Sequence, residues 1–293
     1  MASTVLPPML RTLLPLLCCP QCPSAQQPLL QLDDREIGCT AGHRFDLARQ
    51  GYLPLLGGAS RTDTGDSAAM VAARSDFLGR GHYSPIAEAV AAATTSFVAG
   101  SPEPVVCEIG AGTAYYLGAA LPAAGRGIAL DSSRYAARRA ASADPRVAAV
   151  LADAWAPLPL ARGAVDVVLV VFAPRVATEI RRIVRAGGGA VVVTPNAGHL
   201  GEVREALGML SVDDGKAAAV REQFAGSFDV VGTSAVRHPM TLTLQDLQDL
   251  VAMGPSARHH TPEAIRAAAE FTLPDSDTVT VHADVTVTAL AAR

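Results

Sequence analysis

The chain has 293 residues, of which 49% are hydrophobic and 18% charged, and its net charge is −4. This balance excludes an intrinsically disordered polymer, and the length suits a small module joined to a larger domain, since single domains run to about 100–200 residues. The acidic excess also counts against a protein held to nucleic acid by overall charge, because phosphate binding rests on Lys and Arg. Locally the balance reverses: ten arginines stand against five acids between Arg126 and Arg185, which an RNA-facing surface and ordinary solvated helix faces explain equally well.

The apolar start, Val5 to Leu17, is interrupted by Pro7, Pro8, Arg11 and Pro15 and lacks the basic lead and small-residue cleavage site of a secretory signal. No later run reaches the roughly 18 apolar residues of a membrane span. A cytoplasmic protein without membrane contact is therefore expected, and there clustered thiols bind metal more often than they form disulfides. Cys19 and Cys22 form C-x2-C, and Cys39 and His43 form C-x3-H after a gap holding a strand-like PLLQL segment and a DDRE turn. Two short knuckles of this kind meet at one tetrahedral zinc. Three sulfurs and one imidazole complete its coordination and leave no position for water, so the Zn2+ is expected to be structural. Cys18 is a spare donor whose use would lengthen the first knuckle. The competing reading is a set of buried free thiols spaced by chance, and Cys107, in an apolar segment, reads as core.

After a polar, glycine-rich passage from Gly57 to Gly65 the pattern changes. PVVCEIGAGTAYYL (104–117) reads as a buried strand, a glycine turn and a helix start, and GIALD (127–131), VAAVLAD (147–153), VDVVLVVF (165–172) and GAVVVTP (189–195) read as further strands. Helical stretches alternate with them, notably Ser133–Ala143 and Thr178–Arg185. Alternation of this kind predicts an α/β chain with a doubly wound, mostly parallel sheet of Rossmann type. The expected division is a zinc-binding domain over 1–57, a linker over 58–84 and the nucleotide-binding domain over 85–293.

A dinucleotide fingerprint requires a third glycine where Tyr115 stands, which makes NAD the poorer fit. The E-x-G-x-G turn of Glu108, Gly110 and Gly112 instead resembles motif I of S-adenosylmethionine-dependent methyltransferases. Bare backbone at both glycines lets the chain approach the methionine part of such a ligand. Asp131, ending the next strand, is suited to the ribose hydroxyls, and Asp153, ending the one after, to the adenine amine beside Ala154 and Trp155. Singly each acid could be a turn or helix-cap residue; in register at successive strand ends they mark the ligand crevice of such sheets. The fourth strand runs into VFAP, where Phe172 and Pro174 are weakly reminiscent of the base-contacting element of amino-methylating enzymes; Phe172 could equally fill the core.

C-P-x-C, C-x3-H-x-F-D, ARQGY (48–52), G-D-S-A-x-M (65–70), A-R-x-x-F-L (73–78) and G-H-Y-x-P (81–85) together resemble the RlmA/TlrB family of 23S rRNA guanine-N1 methyltransferases. The likeness continues through EIGAGT, FAPR with EIRRI (172–183), T-P-x-x-x-H-L (194–200) and VAMGPS (251–256), and is greatest to the Gram-positive, tylosin-resistance branch. It implies S-adenosylmethionine as cofactor, 23S rRNA as partner, a homodimer, a zinc domain that engages RNA, and methylation of a guanine in hairpin 35 with a contribution to macrolide resistance. It departs at Glu108 for the usual Asp, at Pro54 for Asn, and in RAGGG (185–189), which lacks a proline before its glycines. His199 is a candidate acceptor for the guanine N1 proton or a helix-capping histidine. Arg74 could pair with phosphate and Tyr83 could stack, with His82 beside them, or the three serve salt bridging and interdomain packing. A small-molecule methyltransferase and a non-catalytic zinc RNA-binding protein are the rival functions; the first has no need of the zinc module and the second none of the intact glycine turn.

Overall fold

The computed structural model describes residues 5–22, 27–57, 65–210, 215–273 and 277–293. The first elements are α1 (Pro8–Leu13), a 3-10 turn over Leu14–Leu16, and a small antiparallel sheet of β1 (Leu30–Gln31), β2 (Glu36–Gly38) and β3 (Arg44–Asp46), followed by the two-residue β4 (Leu53–Pro54). The DDRE stretch is the predicted turn: Oδ1 of Asp33 accepts the N–H groups of Arg35 and Glu36, each at 2.7 Å.

Next come α2 (Ala68–Gly79), α3 (Ser84–Val98), β5 (Val105–Ile109), α4 (Tyr115–Ala120), β6 (Arg126–Asp131), α5 (Arg134–Ala140) and β7 (Val147–Leu151). The chain then crosses to β8 (Val165–Val171), α6 (Ala177–Ile183) and β9 (Val184–Pro195). It finishes with α7 (Lys216–Phe224), β10 (Phe228–Thr243), α8 (Leu244–Ala252), α9 (Pro262–Thr272) and β11 (Thr278–Ala292). The strands form one sheet in the order β10-β11-β9-β8-β5-β6-β7-β4, antiparallel only at β9-β11 and β11-β10. Every residue of β5, β7 and β8 is buried, as continuous apolar strands in a sheet covered on both faces must be. The chain leaves β5 toward β6 on one side and reaches β8 on the other, so the switch point, and with it the ligand crevice, lies at the C-terminal ends of β5 and β8.

One face of the sheet packs Phe77, Ile86, Val90, Leu117, Leu247 and Leu250 from α2, α3, α4 and α8. The other face packs Ile180 and Phe224 together with Leu10, Leu13, Leu17 and Ile37 of the N-terminal segment, in one continuous core. That segment also adds a strand: β4 pairs in parallel with β7, and the Leu55 N–H donates to the Leu151 carbonyl at 2.9 Å. The stretch expected as linker is helical from Ala68, where Ser67 caps α2 by accepting the Met70 N–H at 3.2 Å. Arg80, at the end of that helix, ties it to α8 through Asp246 and Asp249, both at 2.5 Å. The long antiparallel pairing of β10 with β11, which α8 and α9 separate along the chain, has no counterpart in the sequence reading. β10 alternates exposed and half-buried positions and carries Pro239, which is tolerated because β10 is the sheet edge. Among the described residues, no helix is long and apolar enough to cross a membrane.

Candidate functional site

Two cavities open at the switch point. The smaller, about 290 Å³, gathers Asp131, Asp153, Ala154, Trp155 and Pro174. The larger, about 560 Å³, gathers Glu108, Gly112, Tyr83 and His199, and Gly110, Arg74, Phe172 and Ala173 border both. Of the site residues read from the sequence at this end of the sheet, only His82 lies outside both linings; its Nε2 is 2.8 Å from Oδ1 of Asp246, where it helps fix α8.

The glycine turn is built by backbone demands. Gly110 and Gly112 have φ of +68° and +54°, a region in which a Cβ is strained. A Cβ at Gly110 would also lie 2.6 Å from that of Ala173. Asp131 braces the turn: Oδ2 accepts the Gly112 N–H and Oδ1 the Ser133 N–H, each at 2.8 Å. Burial pushes its carboxyl up, against these two N–H groups that hold it down. Glu108 is 1% exposed and accepts the Leu117 N–H at 3.0 Å, and burial raises its carboxyl well above the usual range. Oδ1 of Asp153 accepts the Trp155 N–H at 2.9 Å, which orients a loop whose tryptophan ring is 58% exposed. Arg74 crosses the cleft, paired with Asp66 at 2.7 Å and donating to the Met253 carbonyl at 2.6 Å.

Phe172 is the hinge between the cavities. It follows directly on β8 with φ of +53°, is 42% exposed, and its ring lies 6.2 Å from Tyr83 and 5.8 Å from His199. A non-glycine residue held left-handed costs about 1–2 kcal/mol, and strain of this kind concentrates at functional positions. An exposed aromatic face in a strained backbone suits a platform for a planar ligand better than a core plug.

His199 meets two obstacles as a proton acceptor. Its Nδ1 already accepts the Asp284 backbone N–H at 3.1 Å, and burial, followed by the nearby Arg204 guanidinium, pulls its pKa down to about 4. Because the folded protein keeps this imidazole neutral while the unfolded chain protonates it near pH 6.5, its contribution to stability is complete above about pH 6.5 and drains away as pH falls toward 4. The amount is on the order of 2–4 kcal/mol. His199→Gln is expected to flatten this acid limb, measured by urea melts between pH 4 and 7.

The second site is the cysteine cluster. Sγ of Cys19 and of Cys22 lie 3.4 Å from Nδ1 of His43, Sγ of Cys39 lies 3.5 Å from it, and Cys22 and Cys39 are 3.8 Å apart. A zinc tetrahedron with about 2.3 Å sulfur legs and about 2.0–2.1 Å nitrogen legs has edges of about 3.8 and 3.5 Å. The donor set thus fits Zn2+ in both chemistry and spacing, through the four residues that the C-x2-C and C-x3-H spacing nominated. Burial and the neighbouring sulfurs push the Cys22 thiol up to about 12, a crowding that a divalent cation relieves. Cys18 is not part of this donor set; its backbone N–H donates to the Pro159 carbonyl at 3.0 Å, in the loop that follows Trp155.

The RlmA N-terminal zinc-ribbon family model matches residues 18–59. A relative from Streptomyces fradiae, named 23S rRNA (guanine(748)-N(1))-methyltransferase, is 43% identical over 271 residues, covering 91% of this chain and 95% of its own. Another, from Micromonospora griseorubida and provisionally named a 23S rRNA (guanine-N(1)-)-methyltransferase, is 45% identical over 272 residues, covering 87% of this chain and 91% of its own. The chain belongs to the RlmA/TlrB family. Among solved structures, a provisionally named methyltransferase of Bacillus halodurans C-125 is similar with a TM-score of 0.49 and 13% identity, over 69% of this chain and 97% of that one. As a member of the RlmA/TlrB family the protein is an S-adenosylmethionine-dependent methyltransferase with a zinc ribbon.

The structure adds residues to the RlmA/TlrB site that sequence reasoning did not single out. Thr194, ending β9, borders the larger cavity, and its buried Oγ1 has no hydrogen-bond partner among the described residues. Met253 and Ser256 bring the VAMGPS stretch into the same wall, and Arg175 of FAPR reaches its rim. Their place in stretches shared with the RlmA/TlrB family is the one sequence signal for them, since nothing in their local pattern marks a cavity.

Proposed function

We propose that this RlmA/TlrB protein methylates N1 of a guanine in hairpin 35 of 23S rRNA, at a position of the guanine 748 type named for its Streptomyces fradiae relative. The observation that supports the reading is the pair of cavities meeting at Phe172, one lined by Asp131, Asp153 and Trp155 and the other, about 560 Å³, large enough for a planar base. Asp131 would take the ribose, Asp153 with Ala154 and Trp155 the adenine, and Glu108 with the glycine turn the methionine part. When bound, S-adenosylmethionine supplies an electrophilic methyl carbon. The guanine, taken out of its stack, would lie on Phe172, with Pro174 shaping the approach and Arg74 and Tyr83 closing the cleft. Cys19, Cys22, Cys39 and His43 would hold the structural Zn2+, and the ribbon would grip the folded RNA by shape.

The family resemblance further supports a homodimer, a cytoplasmic location and a contribution to macrolide resistance. Mass mapping of 23S rRNA from cells with and without the protein tests the central reading; a guanine in hairpin 35 that gains a methyl group only when the protein is present is the expected result. Thr194→Val separates ligand recognition from folding. Removing a buried hydroxyl that lacks a partner is expected to stabilise the protein by about 1 kcal/mol in thermal melts, while methyl transfer slows because the hydroxyl is completed only by substrate.

A further inference from the structure

Tyr83 stands at the start of α3, its ring edge-on to Phe77 at 5.3 Å and 4% exposed. Its hydroxyl has a single protein partner among the described residues, Nε2 of His199 at 3.3 Å. The sense of that bond is set on the far side of the imidazole. The Asp284 backbone N–H can only donate, and it reaches Nδ1 at 3.1 Å. Nδ1 is therefore the bare nitrogen, the proton of the neutral ring sits on Nε2, and Nε2–H donates to Oη of Tyr83. A hydroxyl that receives this bond still has its own proton to direct. Tyr83 borders the larger cavity, and no protein acceptor lies in reach of that proton among the described residues. Buried donors do not stay unpaired without cost, so the missing acceptor arrives with the ligand.

We propose that Tyr83 selects guanine: its hydroxyl, oriented by His199, donates to O6 of the base in the acceptor cavity. The inference rests on the reading of guanine-N1 methylation given above. Adenine would offer an amine where guanine offers O6, setting donor against donor, and the cavity would reject it by leaving both unpaired. The same bond assists the chemistry. N1 gives its proton to water and its electron pair to the methyl carbon as the carbon–sulfur bond breaks, and the pair from that bond turns the sulfonium into a neutral thioether. Negative charge released by the N1 proton spreads to O6, where Tyr83 receives it. Burial raises the tyrosine's own pKa, so the hydroxyl keeps its proton throughout. His199 is the positioning residue, and Tyr83 is the group that touches the base.

The test is single-turnover methylation of a hairpin 35 transcript by the zinc-replete wild type and Tyr83→Phe across a pH series. It is paired with calorimetry of S-adenosylhomocysteine binding and equilibrium binding of the hairpin and its adenine-substituted twin. Expected for Tyr83→Phe are unchanged S-adenosylhomocysteine affinity, a rate lower by about tenfold to a hundredfold, and a rising limb of the pH–rate profile moved to higher pH. Its preference for the guanine hairpin over the adenine twin should shrink as well. A variant rate equal to wild type at every pH overturns the proposal. So does a slow variant that loses S-adenosylhomocysteine affinity but keeps the wild-type pH profile and base preference, because that pattern belongs to packing alone. If the wild type itself leaves N1 of the guanine unmethylated, the function reading fails and this inference falls with it.

Discussion

Chelation of zinc is expected to lower the melting temperature sharply and to weaken S-adenosylhomocysteine binding in the same preparation. Metal binding in small zinc modules is worth on the order of 10 kcal/mol of folding free energy, comparable to the whole stability of an ordinary domain. In this chain that energy cannot stay local. Leu10, Leu13, Leu17 and Ile37 share one core with the sheet strands, and β4 is hydrogen-bonded to β7. The module also holds the loop after Trp155: the Cys18 N–H donates to the Pro159 carbonyl at 3.0 Å, the Ala161 N–H donates to the Leu16 carbonyl at 2.9 Å, and Leu17 bridges Leu160. Loss of the ribbon therefore frees the segment that positions Asp153 and Trp155 at the smaller cavity. Cys22→Ser is expected to reproduce the effect and to abolish zinc in metal analysis, whereas Cys18→Ser should retain one zinc per chain. Full donor affinity in metal-free protein would show that the ribbon and the donor site are uncoupled.

The same coupling explains what was legible in the sequence. The cluster could be read because soft ligands are scarce elsewhere in the chain, and four donors at knuckle spacing have few other uses. The strands from Val105 to Val171, and the second half of β9, could be read because their central residues are buried and mostly apolar. The acids at 108, 131 and 153 could be read because each lies at or just beside the C-terminal end of such a strand. β4 could not, since two residues carry no periodicity and their partner is a strand almost a hundred residues later. β10 was hidden for the opposite reason: an edge strand with alternating exposure, a glycine and a proline gives a weak signal, and only its partner β11 makes it a strand. The pairing of Tyr83 with His199 spans 116 positions. Sequence reading can nominate both residues, but the direction of the hydrogen bond between them depends on a backbone N–H at Asp284 that no local pattern reveals.

Asp131→Asn is expected to weaken S-adenosylhomocysteine binding nearly as much as Asp131→Ala, by on the order of 2–4 kcal/mol in calorimetry. A swap of carboxylate for amide keeps size and shape, and at a solvated acid it would be mild. Here both carboxylate oxygens are already acceptors, one for the Gly112 N–H and the other for the Ser133 N–H, each at 2.8 Å. Whichever way an Asn amide is turned, its NH2 group faces one of these N–H donors, and two donors cannot pair. If the Gly112 contact is lost, the glycine turn that lines the cleft loosens. If the Ser133 contact is lost, the start of α5 shifts, since Ser133 caps that helix through the N–H groups of Tyr135 and Ala136. Either outcome also removes a charged acceptor from the position proposed for the ribose. Asp131 braces the turn, and in the function proposed above its remaining lone pairs would also take the nucleoside, which is why the isosteric change should be nearly as damaging as truncation. An Asp131→Asn protein that binds S-adenosylhomocysteine within about twofold of wild type, a difference of only about 0.4 kcal/mol, would mean that ribose recognition lies elsewhere in the cleft.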